Sequence, residues 1–254
     1  MSNRSGLRSA PVASRLWNRA LDLVFPPRCV GCRDFGAFLC DRCLASMTKA
    51  EPPRCDVCWM PVLSAVEGPV LSAAGGPQVA DVCARCRHSR PAFQAARAAF
   101  VYEGAARQAV HALKYGGVSA LAGEMARSMA ELLLQWNPAV SAIVPVPLAG
   151  GRRRLRGYNQ SELLAREISR RTGLPLARRA LIRRRSTPPQ ARQPDQETRR
   201  RNVADAFQRG RPVAAGVLLV DDVMTTGATL EACARVLGDS GATPVFALTF
   251  ARED

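Results

Sequence analysis

From residue 95 onward, short apolar stretches alternate with amphipathic ones, and eight of the nine cysteines fall before residue 90 in four C-x2-C pairs. In 254 residues of ordinary globular composition, 47% hydrophobic and 22% charged, these observations predict an α/β domain with a mainly parallel sheet flanked by helices. A small metal-bound module precedes it. The expected boundaries are an N-terminal amphipathic extension over 1–27, the cysteine module over 28–90 and the α/β domain over 95–254. No apolar run approaches the ~20 residues that cross a bilayer, so membrane insertion is not expected. Arg4, Arg8, Arg15 and Arg19 recur where the apolar stretch of an export signal would sit, which predicts a cytoplasmic protein.

Taken in order, residues 11–25 read as a short helix with Leu16, Leu21 and Leu23 among basic positions, stopped by Pro26-Pro27. Within the cysteine module, residues 61–68 are nearly repeated as 69–76, which reads as an inserted surface loop over about 61–77. After Pro91 come a strand at 97–102, helices near 104–114 and 119–135, and a short buried strand at 142–146. A helix follows at about 158–171, with Asn159 as N-cap and Glu162 at the N3 position. The Pro-, Gln- and charge-rich segment 186–199 reads as a loop. A strand at 217–220, a helix at 227–238 and a strand at 244–250 complete the chain.

A C-x2-C turn presents two thiolates on one side of a knuckle, and two knuckles complete a tetrahedral Zn²⁺ shell. Four knuckles therefore predict two zinc ions. Pairing in sequence puts Cys29, Cys32, Cys40 and Cys43 on one ion and Cys55, Cys58, Cys83 and Cys86 on the other. Interleaved pairing joins the first knuckle to the third and the second to the fourth. The short spacing between the first two knuckles favours the sequential arrangement. Four thiolates leave no open coordination position, so the metals are expected to be structural. His88 reads as a bystander and Cys233 as a small core residue.

Charge is lopsided. The net charge is +15, carried by 34 Arg and 2 Lys, and residues 152–211 alone hold 18 Arg against 5 acidic groups. Such a block attracts polyanions, whether nucleic acid, pyrophosphate or an acidic protein.

The segment 217–230 is the most informative. Val217–Val220 suits a strand buried on both faces, and Asp221 and Asp222 follow where open α/β sheets bind ligands. Thr225, Thr226 and Thr229 supply hydroxyls around Gly227, and Ala228 opens a helix whose N-terminus favours anions. Paired aspartates after a strand also occur in phosphoacceptor domains and nucleotide hydrolases, but neither needs a Thr-Thr-Gly-x-Thr turn next to them.

Residues 217–230 resemble the phosphoribosyl-pyrophosphate (PRPP) signature of type I phosphoribosyltransferases. Pro145-Val146-Pro147-Leu148, Arg156-Gly157-Tyr158-Asn159-Gln160, Thr187-Pro188-Pro189-Gln190, and Arg201-Asn202 through Ala206-Phe207 narrow the resemblance to the ComF (GntX-like) family. The cysteine knuckles are similar to that family's double zinc ribbon. The resemblance runs from about residue 20 to the end; the eight-residue duplication and Arg192–Asp195 depart from it.

The resemblance implies a type I phosphoribosyltransferase fold and a phosphoribosyltransferase that takes PRPP with Mg²⁺ and an unnamed acceptor. Asp221 and Asp222 would contact the ribose hydroxyls. Thr225, Thr226, Gly227, Ala228 and Thr229 would hold the 5′-phosphate. Val146, Pro147, Arg152 and Arg156 would lie at the pyrophosphate, with Arg183 and Arg185 at the base of a closing loop. It also implies a part in natural competence, the uptake of DNA, beside a helicase. In the alternative, the basic window handles single-stranded DNA without catalysis and PRPP is a regulatory ligand.

Overall fold

The computed structural model describes residues 26–62, 82–184 and 206–254. Two short helices, α1 (Asp41–Ala45) and α2 (Ala84–His88), belong to the cysteine module. Strand β1 (Ala95–Val101) then leads into α3 (Gly104–Tyr115) and α4 (Leu121–Trp136). Next come β2 (Ala142–Pro145), α5 (Gly150–Arg156) and α6 (Gln160–Thr172). Strands β3 (Leu181–Arg183) and β4 (Phe207–Arg209) precede β5 (Val217–Met224), α7 (Ala228–Gly238) and β6 (Val245–Arg252).

Val217–Val220 is fully buried, as a strand covered on both faces must be. β5 accordingly lies inside a four-stranded parallel sheet of order β1-β6-β5-β2. Leu218, Val220, Leu248 and Phe250 face the apolar sides of α3, α4 and α6. Val217, Leu219, Val245 and Ala247 face α7 and the small antiparallel β3–β4 sheet. The α/β architecture with a mainly parallel sheet is therefore the one the sequence predicts.

Neither edge of this sheet is bare. Beside β1, Ala50 N donates to Ala99 O and Val101 N to Thr48 O, so a piece of the cysteine module lies along the strand. Beside β2, Ile143 N donates to Pro175 O and Ala177 N to Ile143 O.

The strand expected at 97–102 begins two residues earlier, and the one at 217–220 continues to Met224. The reason for the second is β6, which keeps pairing past the end of β2, with Asp221 opposite Thr249 and Val223 opposite Ala251. The two aspartates thus lie within the strand rather than after it. Asn159 caps α6 as expected, its side chain accepting from Ser161 N. Helix α5 and the β3–β4 pair carry no sequence signal: α5 (GGRRRLR) buries no residue, and the strands are three residues each. The helix read at 11–25, most of the duplicated loop and the 186–199 loop lie outside the described residues.

Candidate functional site

β2 stops at Pro145, opposite Val220, while β5 runs on to Met224. The chain leaving β2 turns through α5 and α6 and returns on the far side of β2, at Leu176. The chain leaving β5 passes through α7 and returns as β6 on the other side. Neighbouring strands whose connections diverge open a crevice at their carboxyl ends, the usual ligand position in open α/β sheets.

Asp221 and Asp222 stand at this crevice. Asp221 Oδ1 accepts from Ser161 Oγ at 2.6 Å and from Asp222 N at 2.9 Å. Burial, reinforced by the Asp222 carboxylate, pushes Asp221 up to about 7. Asp222 is 2% exposed and pairs with Lys114 Nζ at 2.7 Å. Burial works against the Lys114 charge, but Asp222 and then Asp221 outweigh it and hold the ammonium above its ordinary range. The second oxygen of Asp222 is buried and has no hydrogen-bond partner among the described residues. The sequence assigns no role to Lys114, at the end of the 104–114 helix, and does not mark Ser161. One signal was available for the first: Lys114 is one of only two lysines in a chain that otherwise uses arginine, and a compact ammonium suits a buried point-charge contact.

Thr225–Thr229 closes over a pocket of about 60 Å³ that Asp221 also lines. Gly227 caps α7 with φ +77°, and a Cβ there would come within 2.8 Å of Met224 Cε. Gly227 itself offers no side-chain cap, and Thr226 Oγ1 accepts from Ala228 N at 3.4 Å, a long contact that an anion arriving at this helix N-terminus could displace. All five residues expected at a 5′-phosphate come together in this turn.

The basic residues divide. A cavity of about 650 Å³ beyond β2 is lined by Pro147, Arg153, Arg179, Arg183, Arg209 and Arg211, among others. Arg183 is held below the usual guanidinium range by burial and then by Arg152, a repulsion that an anion would relieve. Arg152 and Arg156 do not line that cavity. Arg156 instead lies over the Tyr115 ring at 4.8 Å and donates to Gln160 Oε1. Val146 is buried, its carbonyl accepting from Asn159 Nδ2 at 3.0 Å, so the start of this loop is pinned to the α6 cap. Arg185 lies outside the described residues. Tyr158 packs beneath the α6 start, donating to Leu113 O.

The cysteines assemble in sequential pairs. Cys29, Cys32, Cys40 and Cys43 form one cluster and Cys55, Cys58, Cys83 and Cys86 another, with the sulfurs of each within 4.8 Å of one another. Cys32 and Cys40 Sγ are 3.6 Å apart, Cys58 and Cys83 Sγ 3.7 Å. Four sulfurs bound tetrahedrally at ~2.3 Å would stand about 3.8 Å apart, whereas a disulfide would bring them to about 2.0 Å. Backbone N–H groups point at the sulfurs, Cys40 N at Cys29 and Cys58 N at Cys55. Burial opposes the Cys29 thiolate, but the backbone N–H groups of Cys40, Cys32 and Gly31, with the Cys43 thiol, outweigh it and bring the Cys29 thiol down to about 6. The donor sets fit two structural zinc ions. Gly31 is required at the first knuckle, since a Cβ would meet Cys43 Sγ at 2.7 Å. His88 belongs to neither cluster, and Cys233 is a buried core residue of α7.

The family model described as "Double zinc ribbon domain" matches residues 20–87. DNA utilization protein YhgH of Salmonella typhi is 30% identical over 213 residues, 82% of this chain and 87% of the relative. Competence protein ComFC of Bacillus subtilis is 26% identical over 189 residues, 70% of this chain and 75% of the relative. The chain belongs to the ComF family. Among solved structures, one titled "Structure of the allosteric regulatory enzyme of purine biosynthesis" is similar to this ComF chain. It has a TM-score of 0.31 and 24% identity over 50% of this chain and 25% of that one. The ComF chain thus joins a double zinc ribbon to an α/β domain with a mainly parallel sheet. Among its described residues no helix is long and apolar enough to cross a membrane.

Proposed function

We propose that the protein binds PRPP with Mg²⁺ in the β2–β5 crevice and transfers its phosphoribosyl group to an acceptor, in the service of DNA uptake. The observation that carries this reading is the Thr225–Thr229 turn, set at the N-terminus of α7 directly beside Asp221. Thr225, Thr226 and Thr229 would donate hydroxyls to the 5′-phosphate, and the first-turn N–H groups would complete its shell. Asp221 and Asp222 would accept hydrogen bonds from the ribose hydroxyls, with Lys114 fixing Asp222 in place.

The donors also suit a magnesium ion: the buried, unpartnered Asp222 oxygen and the Asp221 carboxylate could hold it through water. When bound, Mg²⁺ would neutralise charge on the pyrophosphate. Arg183, with Arg152 near it, would stabilise the same charge from the protein as the C1–oxygen bond breaks and its electron pair leaves with pyrophosphate. The acceptor's lone pair would then form the new bond to C1. Pro147 and the buried Val146 would hold the crevice wall rigid. In this reading the protein works in the cytoplasm, where thiols stay reduced for zinc.

Thermal unfolding with PRPP, with and without Mg²⁺, tests this. Ligand at ~100 times its Kd adds about 2.7 kcal/mol. A Mg²⁺-dependent stabilisation that disappears in Asp221→Asn is expected; no stabilisation of the wild type would remove PRPP from the crevice.

The arginine-lined cavity favours a second reading, in which single-stranded DNA passes along this face beside a competence helicase and PRPP regulates its hold. Affinity for an oligonucleotide would then fall steeply with salt. Salt-insensitive binding would exclude it.

A further inference from the structure

The second cysteine cluster lies directly behind the phosphate turn. A cavity of about 290 Å³ is walled on one side by Cys58, Arg85 and Cys86 and on the other by Thr226, Gly227 and Ala228. Arg85 crosses it. This residue stands on α2, next to Cys86, and its Nη2 donates to the carbonyl of Thr226 at 2.6 Å. That carbonyl immediately precedes Gly227, the residue whose left-handed conformation turns the chain into α7. The same exit from the cysteine module holds the first turn of α7, where Ala92 N donates to Glu231 Oε2 at 2.7 Å. At the other end of the turn, Arg252 is completely buried, lies opposite Met224 in the sheet and donates from Nη2 to Sδ of Met60, two residues beyond Cys58, at 3.4 Å. Both ends of the turn are thus fastened to the second cluster, and α2 is too short to hold Arg85 in place without the ligand Cys86 anchoring it.

We propose that Arg85 is a positioning residue for the phosphate site and that the zinc held by Cys55, Cys58, Cys83 and Cys86 sets the shape of the Thr225–Thr229 turn through it. The inference rests on the PRPP reading for its ligand but not for its geometry. With zinc in place, α2 is fixed and the Thr226 carbonyl is held away from the anion, leaving the N–H groups of the turn facing the crevice. When the second zinc is lost, α2 loosens, Arg85 releases Thr226 and the turn samples other conformations, so an anion must pay for its ordering on binding. Zinc status would thereby tune ligand affinity at a site that contains no cysteine.

The test uses the full chain loaded with two zinc ions, with Arg85→Ala, Arg85→Lys and Cys83→Ser beside wild type. Zinc content, PRPP–Mg²⁺ affinity by calorimetry and backbone hydrogen exchange over 225–230 without ligand are measured for each. Arg85→Ala is expected to keep both zinc ions, bind PRPP about tenfold more weakly and exchange faster across the turn. Arg85→Lys should recover part of both effects, since an ammonium can still donate to the carbonyl. Cys83→Ser should carry one zinc and show the same faster exchange. Unchanged exchange in Arg85→Ala would overturn the proposal. If the wild type fails to bind PRPP, the functional reading fails, and the exchange measurement still decides the role of Arg85.

Discussion

Cys29, Cys32, Cys40 and Cys43 sit beneath α3 and α4, whereas Cys55, Cys58, Cys83 and Cys86 sit behind the Thr225–Thr229 turn. The first cluster is joined to the α/β domain mainly by apolar packing. Cys29, Leu39, Cys43 and Met47 share a buried core with Ala106, Ala109 and Val110 of α3 and Met125 of α4. Its polar links, such as Arg127 with Asp41, lie at the surface, where an ion pair contributes little. The second cluster also packs apolarly, with Cys55, Val57, Cys58 and Cys86 in the buried core that holds Met224 and Leu230, but arginines fasten it as well. Arg54 makes a two-pronged pair with Asp254, Arg97 lies over the rings of Trp59 and Trp136, and Arg85 reaches Thr226. Two chemically identical ligand sets therefore reach the crevice by different routes. The first supports the helix that carries Lys114, and the second holds the turn itself.

That difference has measurable consequences. Cys29→Ser with Cys43→Ser should remove one zinc and expose the underside of α3, lowering stability by more than ~4 kcal/mol in urea unfolding. Cys55→Ser with Cys86→Ser should lose one zinc as well but leave the α3–α4 core cooperative. Equal losses of stability from the two pairs would erase the distinction.

Lys114→Ala should cost about 3–5 kcal/mol, because it strands the buried Asp222 carboxylate without its partner. Lys114→Met with Asp222→Leu should recover most of this while failing to respond to PRPP. A small loss in the single variant would mean that α3 does not carry the first cluster's influence to the crevice.

Gly227→Ala should cost about 1–2 kcal/mol from its positive φ and should abolish the PRPP response. It has the effect of losing Arg85 on the turn, without touching the ribbon.

The comparison can also be sharpened through the pH profile. Asp221 titrates at about 7 in the folded chain against an ordinary value of 3.8, so the folded state keeps its proton where the unfolded state has lost it. Stability should therefore fall as pH rises from about 4 to 7 and level off above, and Asp221→Asn should flatten that slope in thermal scans. For the same reason PRPP–Mg²⁺ should bind more tightly at pH 8 than at pH 6, if the ionised carboxylate is the binding form.

What the sequence disclosed was local. The four knuckles, the buried Val217–Val220 run, the aspartates and the threonine turn are each contiguous, and each requires its residue types at fixed short spacing. The short first hairpin favoured sequential pairing of the knuckles without deciding it. The contacts that complete the site are not local. Arg85 and Thr226 are 141 residues apart, and nothing in either neighbourhood marks the other. Lys114 meets Asp222 only because β1 and β5 share a sheet that brings α3 over the strand end. Arg156 makes another such contact, its guanidinium lying over the ring of Tyr115 at the end of α3.

The backbone pairing of residues 48–50 along β1 carries a further consequence. Ala95–Val101 is a seven-residue strand with one charge, at Arg97, and alternate buried residues. Were the ribbon to peel away after metal loss, this edge would be open to pairing with a second chain. Chelation should then yield associating species rather than a soluble monomer, and light scattering would follow it. By that account the ribbon also acts as a guard for a sticky strand, and the cell's zinc supply governs how long a newly made chain stays unaggregated.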